Sequence, residues 1–234
     1  MNYLIIGDPS GVHTYTLIQT GISPSDIFVW EDSAKGQYCV TMEGATVTDN
    51  LDTFNYMKFD VVIGNPPYGS GGNLAIRFLN KCGDLSDDIR LVLPVSIRKP
   101  SSQNKVRLDL VCVEDEDLSE ETFGKNITAV RQRWVKTDSL RDKIQTFTTH
   151  PDFEFVKKDN NPDIMIFRCG ASTGKATVDF DDNKPDHYFI KADSDVIERL
   201  KNITDELIVL SKKVNGMPGI SKHDLITTYI SHYG

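Results

Sequence analysis

Several features common in other classes of protein are missing from this 234-residue chain. No apolar run approaches the roughly 20 residues that a membrane-spanning helix needs. The N-terminus opens on Tyr3-Leu4-Ile5-Ile6 rather than on a basic, then apolar, then small-residue leader, so secretion is not expected and a cytoplasmic location is. There are only four cysteines, Cys39, Cys82, Cys112 and Cys169, with no C-x-x-C pair, and the five histidines do not gather near them. That spacing argues against a disulfide framework and against a zinc site, so no metal is expected. Positive charge is in deficit too: 26 Lys and Arg against 34 Asp and Glu leave a net charge of -8. A binder that coats its whole surface with cations is thereby ruled out.

What is present suffices for one sizeable core, since 39% of the residues are apolar, and the length favours one domain with an insertion or appendage. The cations are unevenly spread. Residues 1–97 carry 5 Lys and Arg against 11 acids, residues 98–158 carry 12 against 11, and residues 159–234 carry 9 against 12. Within the middle stretch the acids bunch at Glu114, Asp115, Glu116, Asp117, Glu120 and Glu121, which leaves room for local basic patches.

Short β-branched runs alternate with helical spacings over the first ninety-odd residues: strands at 3–6, 27–30, 59–63 and 89–93, helices at 12–20 and 73–81. That alternation predicts a parallel sheet with helical crossovers. Asp60-Val61-Val62-Ile63 is apolar after its first residue, as a central strand covered on both faces should be. Beyond Lys99 the pattern breaks at Pro100-Ser101-Ser102, and two extended stretches, 106–113 and 126–136, flank the acidic run like a hairpin-like insertion. Helical spacing returns at 139–147. Residues 153–156 and 164–168, separated by Asn160-Asn161-Pro162-Asp163, read as an antiparallel pair that closes the sheet. The tail offers a strand at 187–190, a helix at 194–203, and weakly patterned sequence after that.

The most informative stretch follows the central strand: Gly64-Asn65-Pro66-Pro67-Tyr68-Gly69. Ligands of open α/β sheets bind beyond the carboxyl ends of strands, so Asn65 and Tyr68 are expected to face the crevice. Two consecutive prolines stiffen the turn. The Asn65 carboxamide oxygen and the Pro66 carbonyl can accept the two hydrogens of a planar amine, and Tyr68 can stack on the ring that bears it.

This strand followed by Asn-Pro-Pro-Tyr resembles the catalytic motif of S-adenosylmethionine-dependent amino-methyltransferases, above all the DNA adenine N6-methyltransferases, and small examples resemble phage or mobile-element enzymes. RNA adenine and protein glutamine-amide methyltransferases share the tetrapeptide and stay as alternatives. A catalytically inactive cofactor-binding or nucleic-acid-binding decoy is the alternative from another class. The resemblance implies a Rossmann-like α/β methyltransferase fold with a mostly parallel sheet, a C-terminal antiparallel hairpin and a small insertion. It divides the chain into a cofactor-binding and catalytic part at 1–97, the insertion at 98–138 as a place for substrate recognition, the rest of the methyltransferase sheet at 139–170 and a C-terminal appendage at 171–234. Asn65, Pro66, Pro67 and Tyr68 become the catalytic residues.

By the same resemblance the S-adenosylmethionine site lies on the first strands. Gly7, Asp8 and Gly11 belong to a strand-to-helix loop similar to the family's Asp-Pro-x-x-Gly turn, although about one residue short, with Val12-His13 where small residues are usual. Glu31, ending the second strand, is the expected ribose ligand, with Trp30 or Asp32 beside the adenine. Ala45-Thr46-Val47-Thr48-Asp49 resembles the family's next strand, and Asp49 at its end is expected to meet the adenine amine. Only Met1 and Asn2 precede the first strand, where the family commonly has a further helix. A protein partner, self-association or a C-terminal segment is therefore expected to complete the site.

For the DNA substrate, the candidates are Arg98, Lys99, Lys105 and Arg107, a run without intervening acids directly after the Pro94 loop. A second set, Arg131, Arg133, Lys136, Arg141 and Lys143, surrounds Trp134, with Arg131 and Arg133 as its expected phosphate contacts, and Trp134 is either a core anchor or a filler for the space left by an extruded base.

Overall fold

The apolar run after Asp60 becomes the centre of a sheet. In the computed structural model, which describes residues 1–118, 129–180, 187–212 and 217–234, strands β1 (Tyr3–Ile6), β2 (Ile27–Trp30), β3 (Thr46–Thr48), β4 (Val61–Gly64) and β5 (Asp88–Pro94) are parallel neighbours in the order β3-β2-β1-β4-β5. Strands β6 (Leu110–Asp117) and β7 (Ala129–Lys136) complete it: β7 runs antiparallel to β5, and β6 antiparallel to β7 at the edge. The result is a seven-stranded, mostly parallel, Rossmann-like α/β sheet, as the resemblance implied.

The period-2 pattern of the strands fills both faces. Leu4, Ile6, Val62 and Leu91 join one core cluster, whereas Ile5, Ile27 and Val29 join another with Val40. Helix α1 (Val12–Gln19) follows β1, α2 (Ala34–Met42) follows β2, and α3 (Asn73–Leu85) follows β4. Ala75, Ile76, Leu79 and Cys82 of α3 recur at helical spacing and are buried in the first cluster.

Two expectations are corrected. The stretch read as a hairpin-like insertion is the end of the methyltransferase sheet itself, so residues 98–138 are not an addition to it. In β7, Val130, Gln132 and Trp134 are buried while Arg131 and Arg133 between them are not, and Gln132 in the inward row hid the alternation. Trp134 is a core anchor: it is fully buried, with Nε1 donating to Gln132 Oε1 at 3.1 Å. Glu120 and Glu121 lie outside the described residues.

The second correction concerns residues 139–170, which do not extend that sheet. The chain divides into two compact units, Met1–Ile144 and Gln145–Gly234. The second has its own sheet, of β8 (Phe153–Val156), β9 (Ile164–Phe167), β10 (Ala176–Thr177) and β11 (His187–Ala192), in the order β10-β9-β11-β8. Strands β8 and β9 do not pair with each other, because β11 lies between them. Residues 139–147 form no helix. Helices Ser194–Asn202, Thr204–Ser211 and Lys222–Tyr233 supply Leu200, Leu207, Leu225 and Tyr229 to a separate core with Phe153, Ile164, Ile166 and Ile190.

Candidate active site

Backbone geometry at the carboxyl ends of β1 and β4 fixes the site. The Asn65 N–H donates to the Ile6 carbonyl at 2.8 Å, extending the β1–β4 pairing by one residue. Gly7 has a φ of +78°, and a Cβ there would sit 2.7 Å from the Asn65 carbonyl oxygen, so only glycine lets the first loop approach the motif so closely. Pro66 is buried, Pro67 is half-buried and Asn65 is exposed. The Tyr68 carbonyl accepts from the N–H groups of Leu74 (3.1 Å) and Ala75 (3.3 Å), which ties the turn to the first turn of α3. Among the described residues, no hydrogen bond engages the Asn65 carboxamide or the Pro66 carbonyl. A stiff turn thus presents two open acceptors.

Tyr68 is placed otherwise than a ring waiting for a substrate. It packs against the core beside α3, and its hydroxyl is buried without a hydrogen-bond partner among the described residues. Burial pushes the phenol pKa up to about 12. Tyr68→Phe removes an unsatisfied hydroxyl and should stabilise the protein by about 1 kcal/mol. The folded pKa lies above the unfolded value of about 10, so the neutral phenol's contribution is fully present below pH 10 and is lost as pH rises toward 12. The gain from Tyr68→Phe should therefore grow above pH 10 in urea titrations; a gain that stays constant from pH 8 to 11 would contradict the burial argument.

The acids of the expected cofactor site divide by exposure. Asp8 is fully buried, and its carboxylate accepts from His13 N (3.2 Å), Thr14 N (2.9 Å) and Thr14 Oγ1 (2.7 Å), holding the start of α1 where a negative charge is favoured. Glu31 is 3% exposed and its two oxygens are engaged inside the protein. Oε2 accepts the Asp8 N–H at 2.7 Å, and Oε1 accepts Ser33 N (2.9 Å) and Ser33 Oγ (2.5 Å). Gly36 closes over it, since a Cβ there would lie 2.6 Å from Glu31 Cγ. Glu31 is a latch between the first loop and α2, and is poorly placed for the ribose role expected from sequence. Asp32 and Asp49 are exposed. Trp30 is buried against Phe78, 4.6 Å between ring centroids, with Nε1 donating to the Asp49 carbonyl at 2.9 Å, so it serves the core rather than an adenine.

The basic run is free of acids in sequence but not in space. Arg98 holds Asp115 with two bonds (2.9 and 2.7 Å) and Asp117 with one (2.6 Å). Arg107 pairs with Asp84 and, at 2.6 Å, with Asp109. Arg131 meets Glu116 at 2.5 Å, and Arg133 bridges Asp88 (2.9 Å) and Glu114 (3.0 Å). Hydrogen bonding from Arg98 holds the Asp115 carboxyl below the usual carboxylate range despite partial burial. All four arginines are thus neutralised by neighbours that a one-dimensional reading could not place. Lys105 donates to Asn73 Oδ1 at 2.9 Å, at the start of α3, and Lys99 makes no ion pair among the described residues.

Residues 26–86, from the approach to β2 to the end of α3, match the family model of the Eco57I restriction-modification methylase. The match covers about a quarter of the chain and includes the Asn-Pro-Pro-Tyr turn. No curated protein matches the chain. Among solved structures, a candidate RNA methyltransferase from Pyrococcus horikoshii aligns at 20% identity over 59% of this chain and 74% of that one, with a TM-score of 0.47. TrmN from Thermus thermophilus aligns at 13% identity over 58% and 44%, with a TM-score of 0.46. The M protein of the type I restriction enzyme EcoKI aligns at 10% identity over 58% and 39%, with a TM-score of 0.45. The sheet order is that of a Rossmann-like α/β fold, and residues 26–86 are similar to a segment of a restriction-modification methylase. Among the described residues, no helix is long and apolar enough to cross a membrane.

Proposed function

We propose that the protein transfers a methyl group from S-adenosylmethionine to the exocyclic N6 amine of adenine in DNA. The observation that carries this reading is a pair of acceptors without hydrogen-bond partners among the described residues, the carboxamide of exposed Asn65 and the carbonyl of buried Pro66, held at the carboxyl end of the central strand directly against the Gly7 loop. The match of residues 26–86 to a restriction-modification methylase family supports DNA as the substrate.

When bound, S-adenosylmethionine supplies a methyl group made electrophilic by its sulfonium. The Asn65 oxygen and the Pro66 oxygen each accept one hydrogen of the amine, which turns the nitrogen lone pair out of the adenine ring and toward the Gly7 side of the crevice. Pro66 and Pro67 keep those acceptors from moving as charge develops, so positioning supplies much of the rate enhancement. Stacking of Tyr68 on the base requires the ring to turn out of its core contact. The proton shed by the amine after transfer leaves toward Asn65 and solvent.

The acids present fit an adenosyl group with a change of roles. Asp32, exposed one residue beyond the buried latch, takes the ribose hydroxyls, and Asp49 lies at the end of the adjacent strand for the adenine amine. Asp32→Ala should weaken S-adenosylmethionine binding about tenfold or more, the loss of a charge-assisted hydrogen bond, without shifting the melting temperature. Glu31→Gln should instead lower the melting temperature, because the amide group puts a donor where the Asp8 N–H and Ser33 already donate. Calorimetry and thermal unfolding on both variants separate the roles: lost affinity with full stability in Glu31→Gln restores Glu31 as the ribose ligand. The substrate is tested by mass spectrometry of nucleosides from DNA and RNA of cells expressing the chain. N6-methyladenine in DNA is the expected product. Methylated RNA alone, or a methylated glutamine, moves the same site to the alternative substrates, and a chain that binds no cofactor is the inactive module.

A further inference from the structure

Four of the six cations expected at DNA phosphates carry a carboxylate partner in the first unit, whereas the second unit sets cations on aromatic rings. Lys222 Nζ lies 4.2 Å from the Phe155 ring centroid, and the Arg168 guanidinium lies 5.9 Å from that of Tyr188. The two rings touch edge to face at 5.3 Å, and the Tyr188 hydroxyl donates to the Ile220 carbonyl at 3.2 Å, which fixes the platform. Lys222 is the first residue of the last helix, directly after its cap. There, Asp224 N donates to Ser221 Oγ at 3.1 Å and Ser221 N donates to Asp224 Oδ2 at 2.7 Å, so the nearby Asp224 carboxylate is engaged by the cap.

Phe155, Tyr188, Lys222, Lys157 and Asn160 line a groove of about 350 Å³, whose lining also includes the acid Glu154. The physical distinction is simple. A carboxylate partner cancels a cation's charge, while an aromatic face holds the cation in place and leaves its charge to act on a ligand. Among the described residues, neither Lys157 nor Lys222 makes an ion pair. Two lysines with their charge intact, one of them pinned on a ring, suit successive phosphates of a nucleic-acid backbone better than the paired arginines do.

We propose that the Phe155–Tyr188 groove of the second unit is a phosphate-contact site for the DNA backbone, with Lys157 and Lys222 as its ligands. The proposal rests on the reading of the chain as a DNA methyltransferase, and it assigns to the second unit a part in holding substrate. Glu154, the one acid of that lining, tempers the affinity of the groove without cancelling it, because two lysines stand against it.

The test is the salt dependence of binding to a fluorescent duplex by the full chain, measured as Lys157→Glu with Lys222→Glu against wild type. A control pair, Lys201→Glu with Lys212→Glu, makes the same change in net charge elsewhere in the unit. The groove pair should lower affinity about tenfold and flatten the log-log salt slope by about two units, near one per phosphate contact. Lys222→Arg should retain wild-type binding. An unchanged slope in the groove pair, or an equal loss in the control pair, overturns the proposal, as does binding to RNA with none to duplex DNA. Binding is read without turnover, so the two readings fail separately: a duplex-binding protein that transfers no methyl refutes the enzymatic reading alone, and an active enzyme with an unaltered slope in the groove pair refutes the groove alone.

Discussion

Asn65→Ala should abolish measurable methyl transfer while the protein stays folded. The side chain is exposed and makes no hydrogen bond among the described residues, and the backbone N–H that bonds to Ile6 at 2.8 Å survives the substitution. Stability should therefore change by less than about 0.5 kcal/mol, as for a surface position. Activity should fall by a factor on the order of 10² to 10³ or more, the cost of removing one preorganised hydrogen-bonding group aimed at developing charge. Cofactor affinity should not change, since no cofactor contact is assigned to this side chain. Asn65→Asp keeps an acceptor oxygen at the same position and should retain a measurable fraction of the activity. Single-turnover transfer from labelled S-adenosylmethionine to an adenine-containing duplex measures all three proteins. Wild-type rates in Asn65→Ala would remove the motif from the chemistry altogether, and loss of cofactor binding together with rate would reassign Asn65 to the cofactor.

The part of the molecule around the Asn-Pro-Pro-Tyr turn was legible because it is encoded locally. Strand, turn and helix around 59–81 are adjacent in sequence, and periodicity, the two prolines and the glycines after them each report on the same few residues. Four of the five parallel strands rest on the same kind of signal, and the short β3 only on the resemblance. What was not legible depended on partners distant in sequence. Nothing near Arg98 announces Asp115, and nothing near Glu31 announces that the Asp8 amide reaches it from 23 residues away. The alternation of Val130, Gln132 and Trp134 was present, but a glutamine in an inward row and a neighbouring acidic run made an inner strand look like an exposed insertion. Similarly, β8 and β9 have the composition of a hairpin, and only β11, some twenty residues further on, separates them. In the tail, Thr204–Ser211 and Lys222–Tyr233 are short helices with weak amphipathic contrast, so periodicity gave little warning of them.

Gly64→Ala should unfold the first unit, a larger effect on stability than any other single substitution considered. Gly64 ends β4 opposite Ile6 in β1, with a φ of +142° that L side chains rarely adopt. A Cβ at this position would lie 2.2 Å from the Ile6 carbonyl oxygen and 2.7 Å from the Ile6 nitrogen, and both are backbone atoms of a fully buried central strand. No rotamer change relieves that contact. The two strands must separate where they are held tightest, and the hydrogen bond from Asn65 to Ile6 goes with them. The cost should exceed about 4 kcal/mol, a large part of the roughly 5–15 kcal/mol that holds a domain folded. Gly21→Ala is the matched control, because Gly21 also has a positive φ, +93°, but nothing lies within 4 Å of the point where its Cβ would stand. It should cost only the strain of a left-handed alanine, about 1 kcal/mol. Urea titration with hydrogen-exchange mass spectrometry reads both variants, with protection in β1 and β4 as the local signal. Protection in those strands equal to that of Gly21→Ala would mean that the motif does not depend on the close approach of β4 to β1, and the placing of Asn65 beside the Gly7 loop would lose its physical basis.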